Sequence, residues 1–507
     1  VTTGEEDLPQ LGPGIRIDGH AARTWLRTPS AELWFHDDLV IKRKLPVDLG
    51  FLDFTTLERR RAACNDEVAL NRRLCDFVYL GVQDVLDDDG TVVDVAVVMR
   101  RMPDDRRLST LAARGDDLDD QVRAIVRRMA VFHAAQPPVP DALELAGPDG
   151  LAVNWADNLA VLDRHPDRVP PPLVADLRTL VDTWLEGRHD LLEARISAGM
   201  VRDGHGDLRS EDVFLLDDGP RILDCLDFAR RYRVGDVLLD IAFLAMELQA
   251  GGRADLADLL LRTWAAFTDE HHPAGLEHHY VSYRAGVRAK IACLSSRPTD
   301  EDPTRLAQLA RDRLQQAEVR LVLVGGLPGT GKSTVVEGLS QRLDLVRLRS
   351  DEIRKNLVGV AHGQRATASA YDPSVTVATY EQLLEQAEYL LRHGESVVLD
   401  ATWADADRRD DARRLAAATS SRLVELQCVL PRELTHARLA ARVGDVSDAD
   451  TDVHDVMATR WAPWPEAVEL STAAAPHDVL DHAVRLVADR QGNDARRQEH
   501  PCESSGT

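Results

Sequence analysis

The stretch Val201–Ala242, VRDGHGDLRSEDVFLLDDGPRILDCLDFARRYRVGDVLLDIA, decides how the first half of the chain is read. His205-Gly206-Asp207 is followed five residues later by Asp212, then by an Asp217-Asp218-Gly219 turn and a short apolar run ending at Asp224. Phosphoryl transfer to an alcohol needs a carboxylate beside the hydroxyl and oxygen ligands for a Mg²⁺ that bridges the ATP phosphates. The spacing gives the first task to Asp207 and the second to Asp212 and Asp224. A strand running into Asp224 would carry its carboxylate into a cleft, with Asp227 in the same run as the competing ligand. A plain acidic hairpin is the bland alternative. The conjunction of HGD, the carboxylate at +5, the turn, the strand and Gly235-Asp236 with Asp240 argues against it.

Working upstream, AELWFHDDLVIKRKLPV from Ala31 predicts two short strands joined by a His36-Asp37-Asp38 turn, the second carrying Lys42. A helix is expected over Thr55–Leu74, with Glu67 placed to pair with Lys42 and aim its ammonium at phosphate. Thr91–Arg101 predicts a buried strand running into a Met102-Pro103 hinge. No G-x-G-x-x-G loop precedes Lys42, so the sequence is not that of an ordinary protein kinase. From Leu108 to Met200 the chain reads helical, with Val122, Ile125, Val126 and Met129 on one face and His133 packed near the helix end.

Downstream, a polar break at 295–303 and a connecting helix over Thr304–Glu318 precede VRLVLVGG, a buried strand. Gly326-Leu-Pro-Gly329-Thr-Gly331-Lys332-Ser333-Thr334 then opens a helix. This is a full phosphate-binding loop in strand–loop–helix context. Backbone N–H groups of the loop would cradle phosphates, Lys332 would reach the terminal ones, and Ser333 would ligate Mg²⁺. Asp351 is expected at a strand end, entering a helix that carries Arg354; helix capping by Ser350-Asp351 is its structural alternative. SVVLDAT predicts a strand ending at Asp400, a second metal-side carboxylate. Arg438 and Arg442, four apart, would share a helix face; a resemblance of this stretch to small P-loop kinases implies that they belong to a lid closing over the transferring phosphate. The sheet is expected to end with HDVLDHAV near 477.

Over 507 residues, 44% hydrophobic and 29% charged, the composition is that of a globular chain too long for one core. The formal charge of -24 disfavours duplex nucleic acid and anionic membrane as partners. Six scattered cysteines without metal-like spacing read as free thiols of a reducing compartment. No apolar run approaches the ~18 residues of a membrane span, and the acidic start is unlike a signal peptide. A cytoplasmic protein is expected.

Residues from about 25 to 300 resemble the aminoglycoside phosphotransferase-like kinases, above all the branch fused to a P-loop domain. The resemblance is carried by VIKRKLPVDLGFLDFTTLERRRAACNDEVALNRRL, VVMRRMP, HGDLRSED, ILDCLDF, VGDVLLDIAFLAMEL and YRAGVRAKIACL. It implies Lys42 on phosphate, Glu67 as its helix partner, Asp207 as catalytic aspartate and Asp224 as metal ligand. Asp212 departs from the family's asparagine, and Arg209 stands where the fused branch has histidine. The later part resembles small P-loop kinases and zeta-toxin- or polynucleotide-kinase-like proteins, which implies that Asp351 activates an acceptor hydroxyl and Arg354 holds phosphate. The expected fold is an α+β bilobal protein-kinase-like domain followed by an α/β P-loop domain with a parallel sheet. The expected divisions are a lead-in to residue 20, domains over 21–315 and 316–490, and a disordered tail over 491–507. The expected activity is ATP- and Mg²⁺-dependent phosphorylation of hydroxyls on small molecules. The alternatives are an ATP-binding regulator with one degenerate site, and a P-loop domain acting on a nucleotide, nucleotide sugar or nucleic-acid end.

Overall fold

The computed structural model describes residues 8–48, 53–295, 301–361, 368–440 and 451–489. The chain divides into two compact units, each built around its own core. The first comprises Val1–Arg178, Leu192–His272 and Glu277–Arg313; the second comprises Leu314–Thr507 with the short segments Thr179–Leu191 and Pro273–Leu276.

The first unit begins with a seven-stranded mixed sheet. Its spatial order is Arg16–Ile17, Leu11–Gly12, Tyr79–Leu86, Val92–Arg100, Leu39–Lys44, Ala31–Phe35 and Thr24–Arg27. In the expected hairpin Leu33 lies opposite Lys42, and Lys42 lies opposite Val97 on the central strand. Alternation along Leu39–Lys44 sends Val40, Lys42 and Lys44 to one face. The helix Leu57–Arg72 packs there, capped by Thr56, whose side chain accepts from the Arg59 N–H. The expected helix over Thr55–Leu74 was thus two residues too long at each end. Helices dominate the remainder: Asp119–Ala135, Pro148–Asp163, Val237–Ala250, Ala254–Thr268 and Ala274–Leu294 among others. Two small antiparallel ladders are set among them, Val213–Leu216 with Gly219–Ile222, and Val201–Asp203 with Val234–Asp236.

The second unit is a five-stranded parallel sheet in the order Val346–Arg349, Val397–Asp400, Arg320–Gly325, Arg422–Val429 and Val468–Ser471. The central strand is an unbroken apolar run because both of its faces are covered. Leu321 and Leu323 pack into one core cluster, Val322 and Val324 into the other. All strands end at the same sheet edge, which gathers the Gly326–Gly331 loop, Arg349 and Asp400. HDVLDHAV is not the last strand: it lies in the helix Pro476–Ala488, and Val468–Ser471 closes the sheet. Its apolar residues Val479, Ala483 and Val487 recur every four positions, a helical period, and all three are buried. Five cysteines are free and buried; Cys502 lies outside the described residues. Among the described residues no helix is long and apolar enough to cross a membrane.

Two candidate active sites

In the first unit the glycines of the HGD stretch are required by packing. A Cβ on Gly204 would lie 2.3 Å from Asp240 Oδ2, and Gly206 has φ +83 with a Cβ position 3.0 Å from Arg233 Cα. Asp240 is the anchor. Its carboxylate accepts the backbone N–H groups of His205 at 2.7 Å and Gly206 at 2.8 Å, and lies 3.0 Å from His133 Nε2. His133 is therefore buried against a carboxylate as well as packed at its helix end. His205 is buried with Nε2 3.0 Å from the Leu223 carbonyl, so it holds the loop rather than facing substrate.

Asp207 leaves this scaffold with its carboxyl pushed up to about 6 by burial, against the pull of Arg209 and Arg288. Asp212 sits in a single helical turn, Ser210–Asp212, and its carbonyl accepts the Leu223 N–H at 2.9 Å. That bond draws it towards Asp224. Burial and then the Asp224 charge drive the Asp212 carboxyl well above the usual carboxylate range. The strand expected to end at Asp224 stops at Ile222. Asp224 follows in a loop with φ +60, and its N–H donates to the Tyr79 hydroxyl at 3.1 Å. The side chain reaches the cleft through a left-handed turn, not a strand end.

Lys42 Nζ lies 2.8 Å from Glu67 Oε1 and 3.1 Å from Asp224 Oδ1, so the expected strand-to-helix pair forms. A second lysine, missed in the sequence, repeats it. Lys44 Nζ is 2.8 Å from Glu67 Oε2 and 2.6 Å from Asp227 Oδ2. Burial alone would raise Glu67, but the two ammoniums hold it down at about 2. The period-2 spacing of Lys42 and Lys44 was the available signal. Asp224 and Asp227 thus both belong to the site, one on each lysine. Arg209 donates to Glu247 at 2.9 Å and Ser210 to the other Glu247 oxygen at 2.7 and 2.8 Å, which tethers the segment after Asp207 to the helix Val237–Ala250.

In the second unit Gly326, Gly329 and Gly331 all have positive φ, at 136, 84 and 91. A Cβ on Gly326 would meet the Cys428 carbonyl at 2.5 Å, and one on Gly329 would meet Leu439 and Thr435 at 2.8 Å. The loop turns into the helix Lys332–Leu343, and the N–H groups of a helix's first turn can hold an anion. Lys332 Nζ reaches the Leu327 carbonyl at 3.1 Å, across its own loop. Thr334 is exposed in the first turn.

Asp351 stands in the first turn of the helix Ser350–Leu357, which has no side-chain cap; Arg349 is the capping residue. The capping alternative for Asp351 therefore fails. Its carboxyl is raised, by burial first and the Asp400 charge second, while Lys332, Arg354 and Arg349 oppose. Arg349 is the residue here that the sequence did not single out. Its Nε is 3.2 Å from Asp400 Oδ2 and its Nη2 3.3 Å from Ser333 Oγ, the two groups expected to hold a metal. Arg354 is buried and donates to the Ala370 carbonyl and Thr376 Oγ1, both at 3.0 Å, so it braces the wall behind Asp351. Arg438 reaches Thr472, 2.8 Å to its carbonyl, and its Nη1 lies 3.4 Å from the Cβ position of Gly331. Arg442 lies outside the described residues.

Residues 321–463 match the family described as AAA domain. Over 456 residues the chain is 37% identical to the uncharacterized proteins Rv2004c of Mycobacterium tuberculosis (strain ATCC 25618 / H37Rv) and Mb2027c of Mycobacterium bovis, covering 88% of this chain and 91% of each relative. Among solved structures, the choline kinase of Cryptosporidium parvum Iowa II aligns at 10% identity and TM-score 0.39, over 58% of this chain and 88% of that one. The Mycobacterium tuberculosis APS kinase CysC aligns at 18% identity and TM-score 0.27, over 34% and 99%.

Proposed function

We propose, for a chain that belongs to the family of the Mycobacterium tuberculosis protein Rv2004c, that it is a two-site phosphotransferase, each site moving the terminal phosphoryl group of ATP to a hydroxyl of a small molecule. The division into functional domains is taken near residue 315. One observation carries the first site: Lys42, on a sheet strand, is held by Glu67 and Asp224 within 3.1 Å, beside the HGD loop. This joins a phosphate-directed ammonium to a metal-side carboxylate and leaves Asp207 to orient the acceptor hydroxyl and take its proton. The second site rests on Lys332, Ser333, Asp351 and Asp400 meeting at one sheet edge, with Asp351 as the group that faces the acceptor.

Mg²⁺ suits both donor sets. Asp212 and Asp224 are clustered carboxylates whose mutual repulsion a divalent cation would relieve, and Ser333 with Asp400 supplies hard oxygen ligands already spanned by a cation, the Arg349 guanidinium. When bound, the metal supplies charge neutralisation between the phosphate oxygens. The chain itself orients phosphate through Lys42 and Lys332, holds the loops through Asp240 and the three glycines, and accepts a proton at the Asp207 or Asp351 carboxylate.

The test is an acceptor screen with Mg·ATP on the wild type, Asp207→Ala and Lys332→Ala. Two separable activities are expected, one lost with each variant. If Asp207→Ala left every transfer intact while Lys332→Ala abolished all of them, the first site would be a nucleotide-binding relic. Small-molecule acceptors are favoured over nucleic acid by the charge of -24.

A further inference from the structure

Three side chains of the second unit meet at a point that none of the phosphate chemistry above uses. His436 lies on the helix Arg432–Ala440, and His454 and Asp455 lie on the helix Thr451–Thr459. One ligand-capable atom from each falls within 4.8 Å of the other two. The imidazoles meet edge to face with centroids 5.4 Å apart, and His436 Nε2 is 3.1 Å from Asp455 Oδ1.

The orientation of His454 is the informative detail. It is buried, and its Nδ1 is 3.0 Å from the carbonyl oxygen of Pro328 in the phosphate-binding loop. A carbonyl only accepts, so Nδ1 carries the proton, and the neutral ring offers its Nε2 lone pair to a cation. A metal-ligating histidine is held in this way, by a carbonyl on its far nitrogen that fixes tautomer and ring plane. A cavity of about 630 Å³ opens beside His454 and Asp455 and is also lined by Leu327, Thr330, Cys428 and Trp461. It would leave room for water or a ligand at a fourth coordination position.

We propose that His436, His454 and Asp455 form a binding site for a divalent transition cation of the zinc class, distinct from the Mg²⁺ sites. Two imidazoles and one carboxylate are the donors such a cation prefers, whereas Mg²⁺ requires an oxygen octahedron. Tetrahedral coordination needs donor atoms about 3.3 Å apart, so side-chain movements of about an ångström complete it. Arg432 pairs with both Asp455 oxygens, through its Nε at 3.1 Å and its Nη2, and is the cation's competitor for that carboxylate. The bound cation would clip the two helices together and, through His454 and the Pro328 carbonyl, to the phosphate-binding loop.

The experiment uses tag-free, chelator-stripped full-length protein titrated with Zn²⁺ by calorimetry and with Co²⁺ by visible d–d absorption. One high-affinity cation per chain is expected. His436→Ala and Asp455→Asn should each weaken it by more than about tenfold, while Lys332→Ala leaves it unchanged. Arg432→Met keeps every donor and should bind as tightly or more tightly, which preserves the test if a donor variant fails to fold. Absence of a cation in the wild type, equal affinity in His436→Ala and Asp455→Asn, or loss of binding in Arg432→Met would overturn the proposal.

Discussion

Glu67 Oε2 lies 2.8 Å from Lys44 Nζ, and Lys44 is more deeply buried than Lys42, which grips the other oxygen of the same carboxylate. One glutamate therefore fastens two positions of one strand to the helix Leu57–Arg72. Removing its charge leaves two ammoniums sharing only Asp224 and Asp227. Glu67→Gln should cost about 3–5 kcal/mol in urea unfolding of the first unit. The two lysines should separate by phenotype. Lys42→Met should chiefly raise the KM for ATP, and Lys44→Met should chiefly lower stability.

A pH limit follows from the role proposed for Asp207. Its carboxyl is up at about 6, so as a base it is lost as pH falls through that value, and kcat/KM of the first site should show an acid limb near pH 6. The stability effect has the opposite sense. An acid raised on folding is penalised in its charged form, so the penalty grows from about pH 4 to about pH 6 and is complete at pH 7. Metal-free Asp207→Asn should therefore unfold about 2 kcal/mol later than wild type at pH 7.5 and no later at pH 4. Paired denaturation curves at the two pH values measure this directly.

Asp212→Asn should stabilise the metal-free protein at pH 7.5, because Asp212 is raised by burial and by the Asp224 charge. The gain should shrink when Mg²⁺ is added, since the cation relieves the same repulsion. Equal melting temperatures of variant and wild type without metal would contradict the crowding of carboxylates.

Arg349 spans Ser333 Oγ and Asp400 Oδ2. A cation entering there must displace it. Arg349→Met should lower the Mg²⁺ concentration needed for half-maximal nucleotide binding at the second site several-fold, read by calorimetry with ADP. A higher requirement would mean that Arg349 helps to build the metal site instead.

Gly204→Ala places a methyl 2.3 Å from Asp240 Oδ2, on the carboxylate that holds the HGD backbone. We expect a loss of at least about 3 kcal/mol in the first unit and no transfer activity there. Nucleotide binding by the Gly326–Gly331 loop should persist, measured on the same sample.

Much of this molecule was legible along the chain. HGD with its carboxylates and the glycine-rich loop ahead of Lys332 are local patterns, because each is a turn built within one continuous segment. The strand end at Asp400 followed from an apolar run stopped by a polar residue, whereas the strand expected to reach Asp351 stops at Arg349, and Asp351 already lies in the helix Ser350–Leu357. The period of HDVLDHAV was misread as a strand because a short apolar run does not separate the two periodicities without its packing partners. What only the tertiary structure decided is how distant charges pair. Lys44 meets Asp227 across 183 residues, Arg354 turns to Ala370 and Thr376, and Arg349 turns in between Ser333 and Asp400. His454 finds Pro328 across 126 residues. A buried charge takes whichever partner the neighbouring strand or helix brings within about 3 Å. That neighbour is set by strand order and helix packing, which no single stretch of sequence contains.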